Sequence, residues 1–363
     1  MEHSPWPGVE RRPDGTLALD PREGVTASVV RALAGGETPP PPFTVRVLTP
    51  LPDVPPGERA ITVDQTNRSV IAGETVVVKW LLTPSRVPHP APPLLTHLAG
   101  FSRTATPYAL VFWEDALVAL VTAYLPGARD GWEWCVDEAV AGRTAFAAEI
   151  GRLAAELHVA MASPSQVFPD PVRLPGKAAS GFAARAEEAL REALRLTGGE
   201  DGDWLGRRAE TLRDELAPLA SAGPTPSIHI HGDLHVGQIL QWRDGYAVVD
   251  FDGNPTVSGG TAFQPAARDL AQLLTSVDHV GQVAMRRRSA APAATAAWVA
   301  QVRADLERAY ADALEQAGRA GLLDRTLLRP FEVEQECREL IYAARHLERW
   351  RYAPMGVLRS WFA

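Results

Sequence analysis

Ile228-His-Ile-His-Gly-Asp-Leu-His-Val-Gly-Gln-Ile-Leu-Gln-Trp-Arg-Asp-Gly-Tyr-Ala-Val-Val-Asp-Phe-Asp-Gly253 decides how this chain is read. Four carboxylates (Asp233, Asp244, Asp250, Asp252), three histidines and two glutamines fall in a strand, loop, strand, turn, strand pattern. Asp233 and Asp250 stand at the ends of apolar segments, where side chains are presented to a cleft. Gly232 permits the tight backbone that points Asp233 inward. An aspartate placed there is expected to accept a hydrogen bond from a substrate hydroxyl and orient its oxygen for in-line attack. The Arg243-Asp-Gly245 turn brings Gln238 and Asp250 together, a neutral oxygen and a carboxylate suited to a hard cation such as magnesium. A single Asp reads as a turn residue or cap. Several matched positions in one ordered pattern read as the set that phosphoryl transfer from ATP requires.

Working outward, the 363 residues suit two or three subdomains, with enough apolar content for a core. The formal net charge of −8 leaves no nucleic-acid footprint. The tightest basic cluster, Arg286-Arg-Arg288, reads as a solvated loop. Cys135 and Cys337 are far apart in sequence and are expected as free buried thiols in a reducing cytoplasm. The start, Met1-Glu-His-Ser-Pro-Trp-Pro, has neither a basic opening nor an apolar run, and no stretch is apolar enough to span a bilayer. A cytoplasmic protein with no membrane and no nucleic-acid partner is expected, as a monomer or homodimer.

Residues 1–58 are polar and proline-rich and read as an N-terminal cap subdomain, with strand pieces at 16–19 and 43–48 and a short helix between 20 and 34. Residues 59–126 are strand-rich: a strand at 59–64, a hairpin from 69–71 and 75–81, a helix at 93–99, and a second hairpin from 108–113 and 116–124. Pro126-Gly127 breaks the pattern. Residues 127–363 are mostly helical, with helices expected at 136–161, 178–196, 204–219, 266–277, 294–317 and 331–350. A strand-rich front and a helix-rich back imply an α+β chain of two lobes.

The pattern His-Gly-Asp-x-His-x-x-Gln, followed by Asp-Phe-Asp-Gly, resembles the aminoglycoside-phosphotransferase-like kinases, which share the two-lobed fold of protein kinases. Many members carry Asn where this chain has Gln238, a feature similar to the actinobacterial branch of maltokinases and glucosamine kinases. The resemblance covers most of 59–354 and, more loosely, 1–58. It implies ATP and Mg2+ as cofactors, Asp233 as catalytic base, and Gln238 and Asp250 as metal ligands. His235 would line the sugar pocket or stabilise the loop. Lys79, mid-strand in an apolar segment, reads alone as a side chain snorkelling to the surface or facing a cleft; with the downstream motif it becomes the phosphate-binding lysine. No Gly-rich loop covers the phosphates. Asp64-Gln-Thr-Asn-Arg-Ser69 occupies the equivalent turn, so Gln65 and Asn67 would contact them. The chain departs from the family between Leu81 and Gly100, which holds no acidic partner for the lysine. The 118–127 segment matches the family's hinge, where backbone groups around Ala123 to Leu125 would bind adenine. Asp269 would brace the catalytic loop or cap a helix.

The acceptor is read from the last predicted helix. Gln335, Glu339 and Tyr342 share one face, with Glu336 beside them. This run is either a solvated helix with a core tryptophan or a carboxylate-bearing sugar pocket. The resemblance to glucosamine kinases implies the second, with Glu339, Arg349 and Trp350 lining the acceptor site. Asp278-His279 would join that pocket or form an ordinary helix end. The expected function is an ATP- and Mg-dependent sugar kinase making glucosamine 6-phosphate. Maltokinase and aminoglycoside phosphotransferase remain alternatives of the same fold, and a nucleotide-binding pseudokinase is an alternative of another class.

Overall fold

The computed structural model describes residues 6–61, 67–84, 89–175, 181–221, 223–253 and 263–362. The chain divides into two compact units, residues 1–128 with 242–244, and residues 129–241 with 245–363.

The first unit is built on a six-stranded antiparallel sheet. Its strands are β3 (Phe43–Val47), β4 (Glu58–Ile61), β5 (Arg68–Ala72), β6 (Val76–Trp80), β7 (Pro107–Trp113) and β8 (Ala116–Ala123), in the spatial order β3-β7-β8-β6-β5-β4. A separate hairpin of β1 (Gly8–Arg11) and β2 (Leu17–Asp20) precedes it. Two helices accompany the strands, α1 (Val25–Ala34) and α2 (Ala91–His97). Alternation along β6 buries Val76, Val78 and Trp80 and leaves Val77 and Lys79 half-buried on the other face, the period-two consequence of a pleated strand. The buried face meets α1, where Trp80 Nε1 donates to Thr26 Oγ1 at 3.0 Å. Trp6, Leu19, Val30 and Phe43 join the same core. Residues 6–58 therefore share a core and a sheet with the strands that follow, because β3 pairs with β7 and β4 with β5.

The second unit holds α3 (Gly131–Ala141), α4 (Phe146–Met161), α5 (Phe182–Leu196), α6 (Gly199–Arg207), α7 (Ala209–Leu216) and α8 (Pro218–Ser221). The strands β9 (Ile228–His229), β10 (Ile239–Trp242), β11 (Gly245–Val248) and β12 (Phe263–Gln264) follow, forming the two-stranded pairs β10-β11 and β9-β12. The chain closes with α9 (Ala266–Arg288), α10 (Pro292–Gln316), α11 (Leu328–His346) and α12 (Tyr352–Trp361). The expected single helix over 136–161 is two helices. Gly142 ends α3 in the left-handed region at φ 67° and its N–H returns to Ala139 O, a glycine stop. Gly198-Gly199, between the helices expected at 178–196 and 204–219, opens α6, since Gly198 is extended and Glu200 and Asp201 favour a helix N-terminus. Arg286-Arg-Arg288 is the last turn of α9, not a loop; cations there suit the negative end of the helix dipole. The final helix breaks at His346 into a 3-10 turn, Glu348–Trp350, before α12. Both cysteines are free and buried. Among the described residues, no helix is long and apolar enough to cross a membrane.

Candidate active site

The loop that begins at His231 hangs on one buried carboxylate. Asp269, in the first turn of α9, is fully buried. Its Oδ2 accepts from the backbone N–H of His231 at 2.7 Å and Oδ1 from that of Gly232 at 2.9 Å. His158 of α4 donates from Nε2 to Oδ2 at 3.1 Å, and its Nδ1 faces the Tyr310 hydroxyl at 2.6 Å. Burial alone would push this carboxyl up. The His158 hydrogen bond, the nearby imidazoles and the Gly232 N–H outweigh it and hold Asp269 below the usual carboxylate range. Of the two readings open at the sequence level, the brace is the one the geometry bears out.

Gly232 adopts φ +84°, a conformation open to glycine. The turn it makes sets Asp233 beside α9, where Gln272 Nε2 donates to Asp233 Oδ1 at 2.6 Å. His231 Nε2 donates to the Val249 carbonyl at 2.9 Å, which leaves its Nδ1 to accept from the Asp233 N–H at 3.3 Å. His235 Nδ1 accepts from the Gly237 N–H at 3.0 Å. Its proton therefore sits on Nε2, 3.7 Å from Asp233 Oδ2. Desolvation pushes the His235 pKa below its ordinary value, against the pull of Asp233, so the ring is neutral at neutral pH. One turn further, Ser276 Oγ accepts from the Val236 N–H at 3.1 Å.

Gln238 and Asp250 are neighbours across the β10-β11 pair, since the Gln238 carbonyl accepts from the Val249 N–H at 2.9 Å. Asp250 holds φ +67°, the left-handed region that non-glycine residues rarely enter, and it is exposed. An amide oxygen and an exposed carboxylate fit a magnesium ion, which prefers oxygen donors and keeps several waters or phosphate oxygens in its shell.

A cavity of about 510 Å³ opens beside Asp233, entirely within the second unit. Four stretches line it: Trp132 from α3, Asp233 and His235 from the loop, Gln272 to Arg287 along α9, and Gln335 to Trp350 from α11 and the 3-10 turn. Glu339 is held in place at both oxygens, by Gln335 Nε2 at 3.0 Å and by Trp350 Nε1 at 2.8 Å. Trp350 meets Trp132 edge-to-face at 5.6 Å between ring centroids and His279 at 5.5 Å, so aromatic rings form one wall. Arg338 also lines the cavity and pairs with the buried Glu334 of the preceding turn.

Placement of the remaining sequence-derived residues differs. His235, Glu339 and Trp350 line the cavity; Arg349 is exposed and Glu336 is fully buried, and neither is among its lining residues. Glu336 lies behind His279, bonded to its Nε2 at 2.9 Å, and its other oxygen is buried without a hydrogen bond. Desolvation, reinforced by Glu339 and Asp278, pushes the Glu336 pKa well up. Desolvation likewise lowers the His279 pKa, against the pull of Glu339. The pair is therefore neutral. His279 joins the pocket, while Asp278 is turned to Arg303. In the first unit, Lys79 points away from the core face of β6. Ala123 gives its N–H to the Thr106 carbonyl, and Leu125 is buried. Asn67 is half-buried just ahead of β5, and Gln65 lies outside the described residues. Sequence reasoning missed Gln272 and Ser276. Polar residues at 269, 272 and 276, spaced three and four apart on one helix face, were the available signal.

The phosphotransferase enzyme family, APH, matches residues 95–320. A glucosamine kinase of Streptacidiphilus jiangxiensis is 38% identical over 364 residues, spanning 94% of this chain and 81% of that relative. A glucosamine kinase of Mycolicibacterium smegmatis is 39% identical over 322 residues, spanning 83% of this chain and 79% of its own length. Among solved structures, a glucosamine kinase in complex with glucosamine, ADP and inorganic phosphate matches with a TM-score of 0.82 at 34% identity, covering 98% of this chain and 90% of that one. An α+β fold of the protein-kinase-like type follows from these matches. By motif, fold and length of match, the chain belongs to the APH phosphotransferase enzyme family.

Proposed function

We propose that the protein is an ATP- and magnesium-dependent glucosamine kinase that forms glucosamine 6-phosphate. The observation that carries this reading is a single cavity with Asp233 and the doubly held carboxylate of Glu339 in its walls. A fixed carboxylate suits the ammonium of an amino sugar, and the Trp350 ring suits the apolar face of a pyranose. The two relatives described above, both glucosamine kinases, support the same choice.

Asp233 takes the proton of the attacking hydroxyl as its oxygen bonds to the γ-phosphorus and the bond to the ADP oxygen breaks. Neutral His235 carries its Nε2 proton beside that carboxylate. Gln238 and Asp250 hold magnesium, which when bound offsets charge developing on the phosphates. Lys79, with Asn67 and Gln65, is assigned to phosphate contact, and backbone groups at Ala123 and Leu125 to adenine. Glu339 and Trp350 hold the sugar. Arg349 is exposed outside the cavity lining, and Glu336 acts through His279.

ADP release measured with glucosamine, maltose and kanamycin tests the reading. Glucosamine is expected to be turned over and the other two not. Ready turnover of maltose or kanamycin without glucosamine would reassign the acceptor, and magnesium-dependent ATP binding without turnover of any of them would make the protein a pseudokinase. Asp233→Asn should lower kcat on the order of 10²- to 10⁴-fold, the range of a positioned general base, with an unchanged melting temperature.

A further inference from the structure

We propose that Gln272 is a positioning residue that holds the Asp233 carboxylate in its reactive orientation; this rests on the reading of Asp233 as the base. Three polar side chains of α9, Asp269, Gln272 and Ser276, fall on one helix face at spacings of three and four. They are 0%, 5% and 2% exposed. A buried polar stripe is costly unless each member is bonded. Each is, and each to a successive part of the same loop: Asp269 to the N–H groups of His231 and Gly232, Gln272 to the side chain of Asp233, Ser276 to the N–H of Val236. The helix thus acts as a ruler along the loop. Two of its three marks fix backbone; only Gln272 fixes the reacting group.

The chemistry of the donor matters. At 2.6 Å the amide engages Oδ1 and resists rotation of the carboxylate. A lysine or arginine in the same place would give a stronger bond but would cancel the charge the base needs. A neutral amide orients without neutralising. The titratable groups around Asp233 are His231 and His235 of its own loop, Asp250 after β11, Asp269 on α9, and His279 and Glu339 in the cavity wall. All of these are shared by the parent and the variants below, so a difference between their pH profiles isolates position 272.

Steady-state kinetics of the full chain with ATP, magnesium and glucosamine, or whichever acceptor of the panel the parent turns over, supply the test. Gln272→Met keeps the length and removes the donor. Its kcat should fall about 10- to 100-fold with both KM values within about twofold, the pattern of a lost bond to a charged group at the reacting centre. Gln272→Glu keeps the shape but donates only while it shares a proton with Asp233. Its kcat should approach the parent's at the acid end of the range and fall to the methionine level as pH rises, where the parent stays level. A packing role predicts the reverse, a glutamate variant that follows the parent at every pH. That outcome, or a methionine variant whose loss lies in KM, overturns the proposal. If the methionine variant folds poorly, the glutamate profile decides alone. A parent that turns over no acceptor removes the base assignment and this inference with it; an active parent with a level Gln272→Glu profile removes only the inference.

Discussion

Asp269 and Glu336 are both fully buried carboxylates close to the same cavity, yet their ionisation is driven in opposite directions. Asp269 is met at both oxygens by two backbone N–H groups and an imidazole. Glu336 is met at one oxygen, by His279, and leaves the other unbonded among further carboxylates. Desolvation acts on both; the number of donors decides which keeps its charge. The loop from His231 to Gln238 is therefore held by an anion, and the cavity wall is backed by a neutral acid. The loop is braced by charge and by main chain, the wall by side chains against side chains.

Removing the anion should have the larger effect. Asp269→Ala strands two loop N–H groups and His158, and a loss on the order of 3–5 kcal/mol is expected from breaking a buried, hydrogen-bonded charge. Thermal unfolding would show it, and a drop under a degree would mean that the loop does not depend on this anchor. Because the folded pKa of Asp269 is depressed, its contribution is present above about pH 4 and is lost as pH falls through the lowered value.

Next comes the wall. Glu339→Gln keeps an oxygen for Trp350 and removes the charge, so KM for glucosamine should rise about 10- to 100-fold with kcat less affected, the scale of one charge-assisted bond. An unchanged KM would separate Glu339 from the amino group.

Glu336→Gln should have the smallest effect and the opposite sign. The folded pKa of Glu336 is raised, so its contribution is full below about pH 4.5 and is lost as pH rises through the raised value. A neutral glutamine escapes that loss. The variant should match the parent near pH 4.5 and gain stability relative to it as pH rises, read from melting temperatures at pH 5 and pH 8. A variant less stable at pH 8 would show that Glu336 is charged after all.

Legibility followed the same division. Asp233, Gln238 and Asp250 lie in one contiguous segment whose glycines and apolar flanks announce a strand-loop-strand unit, so their grouping was readable from spacing. The cavity draws on four stretches from Trp132 to Trp350, and only the polar face of the last predicted helix pointed to a wall, without showing what stands opposite it. Glu336 and Glu339 are both on α11 and both acidic; only packing makes one a lining residue and hides the other behind His279. Strands of the first unit were legible from alternation. The hairpin strand β1 was not, because its burial hardly alternates, and α12 was masked by the Pro354 in its first turn. Gln272 escaped notice because a glutamine among apolar residues carries no charge to explain.

The loop and the start of α3 are also closer than any side chain would allow. A Cβ on Gly131 would lie 1.7 Å from the Val236 carbonyl oxygen, and one on Gly237 would lie 2.5 Å from the Trp132 indole nitrogen. For anyone re-targeting the acceptor by grafting segments from relatives, these two contacts define a cassette. The first turn of α3, with its cavity tryptophan, and the loop from His231 to Gln238 must be exchanged together or left alone.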